Sequence, residues 1–284
     1  MGCTRVGVFF VLTSCIALFA SSQAFADEAA PPANPSGQDD NAEEQRALPC
    51  KVGVYQNRRT RGPLTDHRGF FNLSPQLGVP AVNGDLNYGD QSASLDASSE
   101  NSLRNIDLST GLGAEAGYCR TSVAADLQYL DLATDQVATN DADGDFGLEK
   151  YIAHVTVNHR YDLMDILSLG PLAGFRYVSV NTTLDAVDNA EFAAAGSDDW
   201  LDPILGVRGR VEPLEWLYVP FYADVGGIGF GSEISWQLYA GAGVSANGVD
   251  FELGYRHLYI DFESDNFDYD VHLGTPTLTT TFRF

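Results

Sequence analysis

The chain ends with the stretch GTPTLTTTFRF, residues 274–284, in which two kinds of side chain alternate. Successive side chains of a β-strand point to opposite faces, so alternation with a period of two indicates a strand. One face is mostly apolar and carries Gly274, Pro276, Leu278, Thr280, Phe282 and Phe284. The other face is polar and carries Thr275, Thr277, Thr279, Thr281 and Arg283. The stretch therefore predicts a strand with lipid on one side and polar groups on the other.

A strand of this kind can lie in a membrane only as part of a closed barrel. An open sheet edge would leave backbone amides without hydrogen-bond partners in the hydrocarbon, at a cost of several kcal/mol each. Outer-membrane β-barrel proteins usually end in such a strand, with an aromatic residue last. We therefore predict an all-β fold, a closed antiparallel transmembrane β-barrel. Phe282 and Phe284 are the predicted signal for the barrel-assembly machinery.

The first 26 residues have the organisation of a secretory signal peptide. A basic start that ends at Arg5 precedes an apolar run over residues 6–19, and Ala24-Phe25-Ala26 offers a cleavage site. The apolar run is too short for a spanning helix, which needs about 20 residues. A lipobox that ends in Cys15 is the alternative. Cleavage there would leave an apolar start on the mature chain and would make the alanine site superfluous.

The composition argues against nucleic acid as a partner. The chain has 39 acidic and 16 basic residues, with a formal net charge of −23, which is unfavourable for contact with a polyanion. Two cysteines, Cys50 and Cys119, remain after the signal peptide, and both fall on the predicted periplasmic side. In that oxidising compartment a disulfide between them is possible, and two unpaired buried thiols are the alternative.

The rest of the chain divides into two segments. Residues 27–68 are acidic and proline-rich, then basic, and they show no period, which predicts a disordered extension with a basic lead-in. From Gly69 to the end the period is two, which predicts a barrel of about 10 strands, with a range of about 8 to 12. The count depends on whether residues 83–105 form one outer excursion or a strand pair. Polar gaps at 134–145, 185–199 and 263–266 predict outer loops.

A soluble two-sheet sandwich is the structural alternative, because alternating strands also line a sandwich core. The signal peptide and the terminal phenylalanine weigh against it. Aromatic residues near the predicted strand ends also weigh against it, because membrane barrels carry aromatic girdles at both interfaces. These residues are Tyr118, Trp200, Trp216, Trp236 and Tyr259.

Several motifs in fixed order resemble a family of small Gram-negative outer-membrane β-barrels described as OmpA-like or porin-like, which lack an assigned activity. They are WLDPILGVR at 200–208, DVGGIGFGS at 224–232, Trp236-Gln237, LGYR at 253–256 and TFRF at 281–284. The match is strong over the C-terminal third and is one of pattern only from Gly69 to Asn181. The resemblance implies a monomeric or weakly oligomeric barrel in the cell outer membrane, with no catalytic residue. Residues 27–68 are not part of that pattern.

The alternation also assigns charged residues of both signs to the lumen. In a barrel of about eight to ten strands side chains fill the interior, and an unpaired charge there costs several kcal/mol. We therefore predict a network of arginine–carboxylate pairs that plugs the lumen. The alternative is a narrow polar channel, which the excess of carboxylates would make cation-preferring. The residues are Glu115, Asp126, Arg176, Asp202, Arg208, Arg210, Asp224, Glu233, Glu252 and Arg256.

Three further motifs each have a simpler interpretation. The glycine-rich run at 226–231 lacks the Lys-Ser/Thr and the helix of a phosphate loop, so it indicates a tight outer turn. DADGD at 141–145 begins like a calcium loop, but its twelfth position is Ile152 instead of glutamate. His257 and His272 lie near predicted outer strand ends, close to aspartates such as Asp261, and a His–Asp pair there could serve a hydrolase at the barrel rim. His154 is instead predicted to point inward at mid-strand. No serine has a spacing that would complete that site.

We therefore predict an outer-membrane barrel with no enzymatic activity, cofactor, metal or nucleic-acid partner. Its expected surroundings are outer-membrane lipid and lipopolysaccharide. Its lumen either passes small solutes, with a preference for cations, or is closed. In the second case the acidic outer loops contact a partner, or divalent cations that bridge lipopolysaccharide.

Overall fold

A computed structural model describes residues 69–88, 91–97, 108–138, 143–186, 193–264 and 267–284. The predicted signal peptide and extension lie outside these residues, as do the first two residues of the DADGD motif. No helix in the described ranges is long and apolar enough to span a membrane. The strands are β1 Gly69–Gly78, β2 Ala81–Tyr88, β3 Gln91–Ala97, β4 Ser109–Tyr118, β5 Thr121–Ala138, β6 Asp143–His159, β7 Tyr161–Met164, β8 Leu167–Ala186, β9 Ala193–Leu214, β10 Leu217–Gly227, β11 Ile234–Ala246, β12 Val249–Ser264 and β13 Phe267–Arg283.

Ten of these strands close into one antiparallel barrel, which confirms the predicted fold class and strand number. Their order is β1-β4-β5-β6-β8-β9-β10-β11-β12-β13, and β1 pairs again with β13. In this closing pair Leu73 lies opposite Phe282 and Leu77 opposite Leu278. The backbone N–H of Phe284 also donates to the carbonyl of Phe71 at 2.8 Å. The C-terminal strand therefore completes the barrel wall.

The end at which β1 begins and β13 ends is predicted to face the periplasm, and we call it the periplasmic end. The connections there are short. Cys119, at the β4–β5 turn, and Asn247, at the β11–β12 turn, both have positive φ, 58° and 49°, as tight turns require. The short β7 pairs with β8 at the same end. At the opposite, outer end, some strands extend beyond the others, namely β5, β6, β8, β9, β12 and β13.

Around the periplasmic part of the barrel, the outward side chains are mostly apolar and exposed. Leu205 is 64% exposed and Leu253 is 67% exposed, which is unfavourable in water and favourable in lipid. Toward the outer end, outward-facing tyrosines such as Tyr129 and Tyr151, with ring centroids 4.7 Å apart, border the apolar belt. Beyond them the outward residues become acidic, beginning with Asp131, which is exposed. This sequence of surfaces is that of a membrane wall with an interfacial aromatic girdle.

In its outer part the barrel changes into two layers of four strands. One layer is β5-β6-β8-β9 and the other is β12-β13-β2-β3. The β10–β11 hairpin ends early, at the pair Gly227 and Ile234, and β4 pairs with β5 only as far as Thr110 and Tyr129. The β2–β3 hairpin lies within the segment that was expected to be either an excursion or a strand pair. β2 pairs with the outer part of β13, from Phe267 to Gly274, beyond the end of β1, so the hairpin adds no strand to the ten that close the barrel.

The two layers enclose a cluster of buried apolar side chains, which we call the outer core. The ring of Trp200 on β9 stacks on that of Phe262 on β12, with centroids 4.1 Å apart. Ser264 donates to Asp198 across the same seam at 3.0 Å. These contacts join β9 to β12, two strands that do not pair in the described residues of this region. The outer core consists of Val82, Leu86, Leu130, Leu132, Leu148, Ile152, Val178, Val180, Trp200, Leu258, Ile260, Phe262, Phe267, Tyr269, Val271 and Leu273.

Two expectations about the outer end are wrong. Trp200 is not a girdle residue, because it shares the inward face of β9 with Asp202 and is only 5% exposed. The gaps at 134–145 and 185–199 are not simply loops. β5 continues to Ala138 and β9 begins at Ala193. Outside the membrane the outward face of a strand meets water, so these segments lack the apolar stripe by which spanning strands are detected.

Replacement of Trp200 by alanine is predicted to destabilise the outer core, because it removes a buried indole from the β9–β12 seam. Loss of a buried tryptophan costs about 3–5 kcal/mol. The measurement is the temperature at which the folded band converts to the unfolded band on a detergent gel. Trp216→Ala is the matched control, because Trp216 is 55% exposed and its loss costs about 1 kcal/mol or less. Equal shifts for the two variants would contradict the role of the seam.

Candidate functional site: the barrel interior and its outer wall

The centre of the lumen is closed by a network of buried polar side chains around Arg176. This arginine is 0% exposed. Its Nε donates to Nε2 of His154 at 2.8 Å, and its Nη1 donates to Oγ of Ser235 at 2.9 Å. Its Nη2 donates to Oδ1 of Asp224. The four residues come from β6, β8, β10 and β11, so the guanidinium links strands from around the barrel.

Asp202 completes this central network and is also fully buried. Its Oδ2 accepts from Oγ of Ser235 at 2.7 Å and from Oγ of Ser232 at 2.8 Å, and its Oδ1 accepts from the Ser232 backbone at 2.8 Å. The carboxylate therefore fixes the β10–β11 turn to β9. A Cβ on Gly231 would lie 2.6 Å from Oδ1 of Asp202. The glycine-rich run thus permits this close approach, and Gly227 and Gly229 supply the positive φ of the turn.

Below the central network lies a polar cavity of about 380 Å³. Its lining extends from Arg120 and Arg283 at the periplasmic end to His154 and Asp126 at mid-barrel. No lining residue belongs to the outer core. The described part of the lumen is therefore a vestibule on the periplasmic side, a charged layer at the centre and an apolar plug on the outer side.

Ion pairs cross the vestibule between strands. Arg208 on β9 lies 3.2 Å from Glu115 on β4, and Ser122 donates to the same carboxylate at 2.7 Å. Arg256 on β12 lies 3.2 Å from Asp126 on β5. The side chain of Arg208 is 46% exposed and that of Arg256 only 13%. The Arg256 pair is therefore less screened by solvent.

Nine of the ten residues expected in the lumen lie there, and Glu233 does not. Glu233 is exposed and follows the β10–β11 turn, where its backbone N–H donates to the carbonyl of Asp261 at 2.9 Å. Alternation fails at this position because the chain is still leaving the turn and β11 begins only at Ile234. Glu233 thus belongs to the outer acidic surface.

Several lumen charges were not expected from the sequence. Asp250 is 3% exposed and lies 2.8 Å from Nη2 of Arg283. Glu212 lies beside Nε of Arg210. Lys150 lies within the outer core, where its Nζ donates to the hydroxyl of Tyr269 at 2.8 Å. Alternation places Asp250 on the same face as Glu252, and Lys150 on the same face as His154. Neither Asp250 nor Lys150 was identified, because both lie near predicted strand ends.

The predicted disulfide and assembly signal are only partly visible. Cys119 is disulfide-bonded and contributes to the vestibule wall. Cys50 lies outside the described residues, so its pairing with Cys119 stays a prediction. Phe284 is exposed, and its ring lies 6.0 Å from that of Phe71. Phe282 is on the outward face of β13 and is 40% exposed. The role of both residues as an assembly signal stays a prediction.

Replacement of Arg176 by alanine is predicted to lower the free energy of unfolding by about 3–5 kcal/mol, because it leaves a buried carboxylate without its cation. Urea unfolding of the barrel in lipid vesicles measures this loss. Arg120→Ala is the matched control, because the exposed Arg120 pairs with Asp162 only at 3.5 Å, and its expected cost is about 1 kcal/mol or less. The double variant Arg176→Ala/Asp224→Ala should recover part of the loss. A double variant less stable than either single one would contradict the pairing.

Comparisons with known proteins support the fold and do not assign a family. No protein-family model matches the chain, and none of the curated proteins matches it. The outer membrane protease OmpT of Escherichia coli is similar in structure, with a TM-score of 0.55 and 10% identity over 76% of this chain and 97% of that chain.

Two further solved barrels have lower scores. Neisserial surface protein A gives a TM-score of 0.35, with 14% identity over 75% of this chain and 97% of that chain. Ail of Yersinia pestis also gives 0.35, with 14% identity over 76% and 99%. Scores this low add nothing to the assignment, and OmpT is similar at the level of fold alone. Together with the apolar outer belt and the closed wall, that likeness shows that the chain has the fold of a transmembrane β-barrel, as the outer membrane protease OmpT does.

Proposed function

We propose that this protein is a closed outer-membrane barrel whose two outer layers form a rigid extracellular part. It would act through contacts of its acidic outer surface. The observation that carries the proposal is the double closure of the lumen. Arg176 and its partners fill the centre, and the outer core fills the space beyond it. A hydrated ion would have to displace both, at the cost of buried ion pairs and of packed apolar side chains.

The outer surface supports a role in binding cations or a cationic partner. Carboxylates lie directly opposite each other on neighbouring strands, as Asp131 with Glu149 and Asp261 with Asp270. Like charges in such positions destabilise a sheet. Partial burial, and then the charges of Asp270 and Glu233, raise the pKa of Asp261. A bound divalent cation, shared with lipopolysaccharide or a partner, would relieve this repulsion.

Planar-bilayer recordings of the refolded mature barrel test closure. We expect no conductance steps from protein that is shown to be inserted by its heat-modifiable band. The closed-barrel proposal fails if discrete steps appear in every insertion event. A salt gradient in the same experiment would give the ion selectivity of any steps.

Narrow passage of small solutes, as in a porin-like barrel, is the second candidate. The polar vestibule of about 380 Å³ favours it, because it already provides a hydrated path through the periplasmic half of the lumen. In that case the central network would be the gate, and Asp202 and Asp224 would favour cations. Conductance steps with cation preference would support this candidate.

Substitution of Asp261 by asparagine is predicted to raise the melting temperature at neutral pH and low salt. The raised pKa means that ionised Asp261 opposes folding, so the wild type should itself gain stability as pH falls through that pKa. Calcium at millimolar levels should stabilise the wild type and have little effect on Asp261→Asn/Asp270→Asn. Asp162→Asn is the control, because Asp162 lies 3.5 Å from Arg120 at the periplasmic end. An equal calcium response in all three proteins would contradict the proposal.

We further propose that the protein acts without catalysis, as a monomer embedded in lipid and lipopolysaccharide. Insertion would depend on Phe282 and Phe284 at the end of β13. The closed outer core supports a non-catalytic role, because it leaves little room for a substrate between the two layers. We also propose that the protein is related to the OmpA-like or porin-like barrels that its motifs resemble. The likeness to OmpT concerns the fold alone.

A further inference from the structure

A pair of histidines lies on the outer wall at the level of the aromatic girdle. Nε2 of His257 on β12 and Nδ1 of His272 on β13 are 3.2 Å apart. In the strand register His272 lies opposite Tyr259, so the two histidines form a diagonal cross-strand pair on the outward face. One of the two facing nitrogens donates to the other, and the tautomers decide which one donates.

Aromatic rings hold the pair in place. The imidazole of His257 stacks on Trp236, with centroids 5.0 Å apart and planes at 24°. The ring of Tyr259 lies 4.5 Å from that of His272. Since both imidazoles are packed against neighbours, little side-chain entropy remains to be lost when a ligand joins them. His272 is exposed, so the nitrogens are accessible from outside the barrel.

The spacing of the two nitrogens fits a shared metal ion. Two histidine nitrogens on a tetrahedral zinc ion, each at about 2.0–2.1 Å, lie about 3.3–3.4 Å apart. The observed 3.2 Å is therefore close to that required for chelation. Imidazole nitrogens are preferred ligands of Zn²⁺, Cu²⁺ and Ni²⁺ and poor ligands of Ca²⁺.

The charges nearby also favour a cation. Asp261 and Asp270 face each other one step further toward the outer end, and Glu233 is beside them. They produce a negative potential at the histidine pair. In the described residues no three His, Cys, Asp or Glu side chains converge in a way that could hold a metal. The protein would thus supply two ligands and leave the other positions open.

We propose that His257 and His272 form a two-histidine clamp for a divalent transition-metal ion on the outer wall of the barrel. Its open coordination positions point outward, where water or phosphate oxygens of the outer leaflet complete the shell. The clamp is independent of whether the lumen conducts. It also differs from the proposed calcium contacts, which depend on carboxylate oxygens and not on imidazole.

Zinc titration of the refolded, chelator-treated mature protein by calorimetry tests the clamp. We expect one site in the wild type, and at least tenfold weaker binding in both His257→Ala and His272→Ala. His159→Ala is the matched control, because His159 lies at the periplasmic end with its ring 4.9 Å from that of Tyr161, and it should bind like the wild type. Equal binding in all four proteins, or none in the wild type, would overturn the proposal.

Copper titration provides an independent readout through Trp236. Cu²⁺ on the clamp should quench the emission of this indole, which stacks directly on His257, and the quenching should disappear in both clamp variants. Trp200 and Trp216 give a constant background, because neither contacts the pair. His272→Gln, which keeps a polar side chain, replaces His272→Ala if that variant does not refold to a heat-modifiable band. Quenching that persists in the variants would contradict a site at the histidines.

Discussion

The whole structure depends on the pairing of β1 with β13, which closes the barrel. In lipid every backbone N–H and C=O needs a partner within the protein, and only a wall without edges provides this. The closing register places Leu77 opposite Leu278, so the apolar face of the last strand continues the lipid-facing belt. Each strand pairs with the next in a fixed register. The closed wall therefore decides which side chains of every strand face lipid and which face the lumen.

Closure creates a narrow interior, which is filled differently inside the membrane and beyond it. In the membrane the lumen is lined by charged groups, which remain buried because each arginine meets a carboxylate or another acceptor, as Arg176 meets Asp224. Beyond the membrane the wall loses β1, β4, β10 and β11, gains the β2–β3 hairpin beside β13, and becomes two layers around an apolar core. The charged layer and the apolar core therefore follow one another along the barrel axis. Together they favour a protein that acts through its surface over one that conducts.

The outer surface then has a distinct chemistry at each height. An apolar belt meets the acyl chains, aromatic rings and the His257–His272 pair occupy the interface, and opposed carboxylates such as Asp261 and Asp270 face the water. Each group has a different preference among cations. Carboxylate pairs suit calcium, whereas imidazole nitrogens suit zinc or copper. Under the two proposals above, the surface would bind different cations at different heights above the membrane.

The sequence by itself determined the closed antiparallel barrel and a strand number near ten, because period-two alternation and the terminal phenylalanine are local features of spanning strands. It left the exact number open over residues 83–105. It also assigned nine lumen charges correctly by parity, Arg176 and Asp202 among them. It could not show that Glu233 leaves the lumen, since a turn interrupts the alternation there. It also did not place Trp200 in the outer core. Only the tertiary structure decided which charges pair and that two layers pack above the membrane, because these contacts join residues far apart in the chain.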